Sequence, residues 1–228
     1  MTKKICFVVT SAPFLKDMKT GLWLEELAAP YYVFKEAGYD ITITTPAGGP
    51  IPIDCNSLRG DFFTDAAKKF LYDADAMDMF CHSKKLEDVT VPGDFDCLYL
   101  PGGHGCCTDG INNPVLKKSI EATYNAGKLV ATVCHGPIAL AECNKSDGTP
   151  LVQDLIVTGF SDAEEAAVQQ TEAVPFLIET RFKEQGAKYE KAENDWAPKV
   201  CVDGNLVTGQ NPASSEPAAK KVVELLSA

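Results

Sequence analysis

At 228 residues, 45% apolar and 23% charged, with 17 glycines and 14 prolines, the chain has a globular composition, not a disordered, collagen-like or coiled-coil one. Its 32 acidic against 21 basic residues leave a net charge of −11, which argues against nucleic-acid or anionic-membrane partners. The nine scattered cysteines are too few and too irregular for a secreted disulfide framework, and no apolar run reaches the roughly 18 residues of a membrane span; a soluble cytoplasmic protein with reduced thiols is expected.

Short apolar runs alternate with longer amphipathic ones. Ile5, Phe7, Val8 and Val9 predict a buried first strand over 5–10. Trp23, Leu27, Tyr31 and Phe34 at helical spacing predict a helix over 22–37, with Pro30 kinking it or marking an uneven start and Gly38 stopping it. The alternating β-branched run 40–45 is a second strand. Residues 50–94 show no strong strand and two helix-like pieces, around 64–72 and 76–85, and are expected as an insertion on the sheet. A strand over 95–100 ends in Pro101-Gly102-Gly103, and a helix over 114–126 follows, capped by Asn113 and stopped by Gly127. The strand 129–133 runs straight into Cys134-His135-Gly136-Pro137 and a short helix over 138–143. Next come a short strand over 155–158, a helix over 173–185, and a hairpin of 199–202 and 206–209 turning on Asp203-Gly204. An amphipathic helix over 215–226 closes the chain. The alternation predicts one α/β domain over 1–228, a mainly parallel sheet sandwiched by helices, with a C-terminal β-hairpin and a small helical insertion.

In open α/β sheets, ligands bind beyond the carboxyl ends of the strands. Two such ends carry small, tight-turning sequences, Pro101-Gly102-Gly103-His104-Gly105 and Val133-Cys134-His135-Gly136-Pro137. The second has the strand–nucleophile–helix form of a nucleophile elbow, in which Cys134 is expected to face the cleft near a helix N-terminus, where the dipole and free N–H groups favour thiolate. The Gly-Gly turn supplies amides free of side chains, which suits an oxyanion site. Neither Cys81-His82 nor the His104, Cys106, Cys107 group has zinc spacing, so no metal and no cofactor are expected.

These motifs, together with Thr158-Gly159-Phe160-Ser161-Asp162 and the run from Thr208 to Ser214 (TGQNPAS), resemble the ThiJ/PfpI superfamily. More narrowly the chain is similar to the heat-shock chaperone-like class that contains the glutathione-independent glyoxalases (glyoxalase III), from Lys3 to the last helix. The resemblance implies a flavodoxin-like domain, usually a homodimer, with a nucleophilic cysteine paired to a first-helix carboxylate. Carried over by position, the nucleophile is Cys134, the adjacent histidine His135, and the first-helix acid Glu26, four residues before Pro30. The third acid is Glu165, with Glu164 one residue away as its competitor. Gly103 and His135 would supply the oxyanion amides, beside Gly102, with His104 at the cleft mouth. Cys106-Cys107-Thr108 depart from the class pattern, which puts the pocket wall in doubt. One reading lets either cysteine reach Cys134 as a disulfide after oxidation; the other packs both in the loop.

The implied activity is that of a cofactor-independent lyase of the D-lactate dehydratase type, taking methylglyoxal or a related 2-oxoaldehyde to a 2-hydroxyacid. Glu26, its pKa raised by the neighbouring thiolate, would move the proton between the two carbons. Two rivals remain open at this point: a redox-responsive stress chaperone with Cys134 as sensor, and a cysteine peptidase or amidase, disfavoured because an adjacent cysteine and histidine align less freely.

Overall fold

The computed structural model describes residues 2–228. Its centre is a seven-stranded sheet built from β1 (Lys4–Val8), β2 (Asp40–Thr45), β3 (Lys84–Lys85), β4 (Cys97–Leu100), β5 (Leu129–Val133), β6 (Val200–Asp203) and β7 (Leu206–Gly209). The spatial order is β6-β7-β5-β4-β1-β2-β3. Every neighbouring pair is parallel except the β6-β7 hairpin. The inner strands β4 and β5 are buried at every residue, as parallel strands covered on both faces must be. Helices α1 (Glu25–Glu36), α2 (Asp65–Tyr72), α3 (Ala74–Cys81), α4 (Cys106–Asp109), α5 (Pro114–Asn125), α6 (Asp162–Ala167), α7 (Ile178–Glu184) and α8 (Ser215–Ser227) flank the sheet.

The expected α/β architecture is present, with four differences of detail. Helix α1 begins at Glu25, because Leu22 is held in extended pairing: its N–H donates to Pro52 O at 2.8 Å and its carbonyl accepts from Asp54 N at 2.9 Å. Pro30 lies inside α1, fully buried, and Gly38 closes the helix with φ +75°. Segment 50–94 carries α2 and α3, but also β3, which adds an edge to the sheet beside Thr44 and Thr45. Helix α7 starts at Ile178, since Pro175 disfavours helix in the residues leading up to it. In the hairpin Asp203 pairs with Leu206, so the two-residue loop is Gly204-Asn205.

Topology fixes where α1 begins. Strand β1 rises to its carboxyl end, and the helix that follows must descend before β2 can rise parallel to it. Its first turn therefore sits at the carboxyl edge of the sheet. Phe34, two turns further down, locks the helix by packing on Phe7 and Tyr99 of the sheet at centroid distances of 5.8 and 5.6 Å. At about 1.5 Å rise per residue, Glu26 then stands about 12 Å above that aromatic cluster, level with the strand ends.

Candidate active site

Strand β5 ends in a sharp turn at Cys134, which holds φ +59°, a left-handed conformation that strains any residue with a Cβ. The turn is pinned from two sides: Cys134 N donates to Gly209 O at 3.0 Å, and Phe160 N donates to Cys134 O at 2.9 Å. Glycine is required around it. A Cβ on Gly136 would lie 2.3 Å from Leu100 O, and one on Gly102 only 2.5 Å from His135 N. The segment after the elbow, Gly136–Glu142, is a 3-10 helix.

The four expected catalytic side chains meet here, together with His104 and Gly102. Cys134 Sγ lies 3.4 Å from His135 Nδ1, so adjacency in sequence does not keep thiol and imidazole apart. His135 Nε2 donates to Glu165 Oε2 at 2.7 Å, and His104 Nε2 donates to Glu165 Oε1 at 2.8 Å. Glu26 is fully buried against Cys134; its Oε2 accepts from Gly102 N at 2.7 Å, while Oε1 has no hydrogen-bond partner. Glu164 is occupied elsewhere. It completes a capping box with Ser161 at the start of α6 and accepts from Asn211 Nδ2 at 2.8 Å. Glu165, one residue on, is the acid that touches the histidines.

The electrostatics differ from the sequence expectation at the sulfur. Cys134 is 3% exposed, not open to the cleft, although its side chain forms part of the cavity wall. Burial, the charge of Glu26 and the hydrogen bond with it push the thiol well above its ordinary range, against the opposing Gly103 N–H. The resting group is a thiol. Glu26 is raised to about 8, as expected in direction, but burial is the main cause and not a neighbouring thiolate; contacts with Cys134 and Gly102 N–H pull the other way. Burial also lowers His135, helped by His104 and opposed by Glu165. Burial alone would raise Glu165, yet the charge of His135 and the two imidazole hydrogen bonds bring it down to about 2. The resting protonation is therefore thiol, neutral Glu26, neutral His135 and Glu165 carboxylate. Because a carboxylate only accepts, His135 carries its proton on Nε2, and its Nδ1 lone pair faces the thiol.

A cavity of about 330 Å³ opens above this set, walled by Trp23, Phe62, Phe160 and Trp196. His135 stacks between His104 and Phe160, with ring centroids 4.0 and 4.4 Å away. The sequence reading did not foresee that His104 and His135 share one carboxylate; the only signal was a histidine at each of the two facing strand-end turns. The ligating atoms of His104, His135 and Glu165 lie within 4.8 Å of one another, a grouping that linear spacing hides. They satisfy one another by hydrogen bonds, so a metal would have to displace two N–H protons. Cys106 and Cys107 are buried in and beside α4, and the Cys106 thiol bonds Pro101 O at 3.4 Å. All nine cysteines are free, and Cys106 and Cys107 are buried in α4.

A parallel α/β sheet with a strained cysteine turn at the carboxyl end of a central strand, flanked by a buried acid and a histidine–carboxylate pair, defines the class of protein. The DJ-1/PfpI family profile matches residues 18–225, and the chain belongs to that family. It is 30% identical to Glyoxalase 3 of Candida albicans, over 96% of this chain and 97% of that protein. It is 29% identical to the glutathione-independent glyoxalase HSP31 of Saccharomyces cerevisiae, over 98% of each. The crystal structure of glyoxalase III from Candida albicans superposes with a TM-score of 0.89 at 29% identity, covering 97% of this chain and 96% of that one. Among the described residues no helix is long and apolar enough to cross a membrane.

Proposed function

We propose that this chain is a glutathione-independent glyoxalase, converting a small 2-oxoaldehyde and water to a 2-hydroxyacid with Cys134 as nucleophile, Glu26 as acid and base, and His135, oriented by Glu165, as proton carrier. The observation that carries the reading is the Glu26 carboxyl buried beside Cys134, with an imidazole nitrogen of His135 3.4 Å from the same sulfur; burial raises Glu26 to about 8, which favours its neutral form. A glyoxalase must move a proton between adjacent carbons without external redox chemistry, and that requires one group able to give and take in turn.

The proton count closes with these groups. As Cys134 Sγ bonds to the aldehyde carbon, its proton passes to His135 Nδ1, and Glu26 protonates the carbonyl oxygen. The product is a hemithioacetal facing a Glu26 carboxylate, and the imidazolium is held by Glu165. Glu26 then takes the hydrogen of the former aldehyde carbon while His135 returns its proton to the ketone oxygen, giving an enediol. Glu26 delivers the proton to the second carbon as His135 removes one from the first hydroxyl, leaving a 2-hydroxy thioester. Water attacks with its proton going to Glu26, the carbon–sulfur bond breaks, and His135 reprotonates the thiolate. One carbon is oxidised and its neighbour reduced, so no cofactor enters the balance. The amides of Gly103 and His135 are the donors suited to the developing oxyanion.

The test is conversion of methylglyoxal to lactate without glutathione, by wild type, Cys134→Ser and Glu26→Gln. Loss of at least about 10²-fold in both variants is expected, the scale of a removed nucleophile or acid–base group. Full turnover in either variant overturns the assignment.

A further inference from the structure

We propose that the cavity selects 2-oxoaldehydes that carry a second, anionic group, and that Arg59 is the residue that recognises it; the proposal rests on the glyoxalase reading and names its substrate class. Arg59 is the one basic lysine or arginine side chain in the wall of the cavity that also contains Cys134. It forms no ion pair and no side-chain hydrogen bond among the described residues, although carboxylates outnumber cations along the chain. The one carboxylate in that wall, Asp54, is committed elsewhere: it accepts from Thr20 Oγ1 at 2.9 Å and from Asn56 N at 2.9 Å.

The loop that presents Arg59 is fixed. Asp54 caps the 3-10 turn Cys55–Leu58, Ser57 Oγ donates to Asp54 O at 2.7 Å and accepts from Leu24 N at 3.2 Å, and Arg59 N donates to Asn56 O at 3.2 Å. The backbone at Arg59 is thus held on the strap tied to the chain entering α1, the helix that carries Glu26. An arginine left without a carboxylate on a protein of net charge −11, at the lip of an apolar cavity, is free to pair with an anion entering that cavity.

Size points the same way. The cavity of about 330 Å³ falls in the range of small-molecule sites, whereas methylglyoxal has only five non-hydrogen atoms and leaves part of it unfilled. Two aromatic pairs, Trp23 with Phe62 and Phe160 with Trp196, line the cavity, which suits a short methylene spacer. The substrate defined by these features has a dicarbonyl head at Cys134, an apolar link, and a carboxylate or phosphate on Arg59. For 4,5-dioxopentanoate the balance is that of methylglyoxal: the aldehyde carbon is oxidised, the ketone carbon reduced, water supplies the new carboxylate oxygen, and the product is 2-hydroxyglutarate.

Two measurements test this. The first is the ratio of kcat/KM for 4,5-dioxopentanoate to that for uncharged 2-oxohexanal, in wild type, Arg59→Ala, Arg59→Lys and Arg59→Glu. A ratio of about ten or more is expected in wild type, lower in the lysine variant, about one in the alanine variant and below one in the glutamate variant. The second is calorimetric binding of 4-oxopentanoate and its methyl ester to Cys134→Ser protein, with and without Arg59→Ala; the acid is expected to bind about tenfold more tightly only when Arg59 is present. A ratio near one in wild type, or one unchanged in Arg59→Ala, overturns the role of Arg59. If wild type turns over neither aldehyde, the glyoxalase reading fails, and the binding measurement still decides the anion site on its own.

Discussion

Gly102 shows how tightly single positions are constrained. A Cβ there would meet His135 N at 2.5 Å, Val133 O at 2.8 Å and Glu26 Oε2 at 2.9 Å, two of the three being backbone atoms that cannot rotate aside. Gly102→Ala is therefore expected to lower stability by about 1–3 kcal/mol, read from the urea midpoint, and to displace Glu26 from the sulfur, read as a fall in turnover of the folded protein. A variant with unaltered midpoint and rate would show that the two turns are not packed as described. The cysteine turn was legible in the sequence because glycine and proline surround a thiol at a strand end. The state of the thiol was not: its burial and its acid neighbour come from segments more than a hundred residues apart, and they reverse the expected preference for thiolate.

Among the elements, α1 was the most legible and the lysine-rich edge the least. Pro30 lacks an N–H, so the Glu26 carbonyl one turn earlier receives no helical hydrogen bond, yet the buried face of α1 keeps the helix continuous through the proline. Strand β3 consists of two exposed lysines, a composition that protects a sheet edge and reads as the end of a helix when only periodicity is available. Helices α2 and α3 meet at Asp73, whose Oδ1 accepts from Asp75 N and Ala76 N at 3.1 and 3.2 Å, while Oδ2 accepts from Tyr32 Oη of α1 at 3.1 Å. Asp73→Ala removes both the cap and the tie to α1 and should cost about 1–2 kcal/mol in chemical denaturation, whereas Asp73→Asn, which can still accept, should recover most of it. Equal losses in the two variants would exclude the cap as the cause.

For the whole molecule, the two buried acids act on stability in opposite directions. Glu165, lowered from 4.5 to about 2, contributes stability that is complete above pH 4.5 and lost as pH falls toward 2, up to about 3 kcal/mol. Glu26, raised from 4.5 to about 8, binds its proton more tightly when folded; the unfolded chain releases it from pH 4.5 upward, so stability declines up to pH 8, by at most about 5 kcal/mol. Thermal unfolding at constant ionic strength should therefore give a midpoint that falls on both sides of the region near pH 4.5. Glu26→Gln should flatten the alkaline limb and be more stable than wild type at pH 8, even as activity is lost. A variant less stable than wild type there would place the Glu26 proton elsewhere. The parallel order of the sheet was legible from the alternation of strands and helices; this pH dependence was not, because it depends on which acids the fold closes off from water.

A strand far along the chain holds the cysteine turn in place: β5 pairs with β7, and the Cys134 amide is bonded to Gly209, seventy-five positions further along. During synthesis the thiol therefore lies on an open sheet margin, without its backbone anchor, until the β6-β7 hairpin has emerged from the ribosome. A nascent chain halted before residue 206 would hold every group of the proposed site yet lack the strand that anchors the cysteine turn, so its turnover is expected only once β7 has joined the sheet.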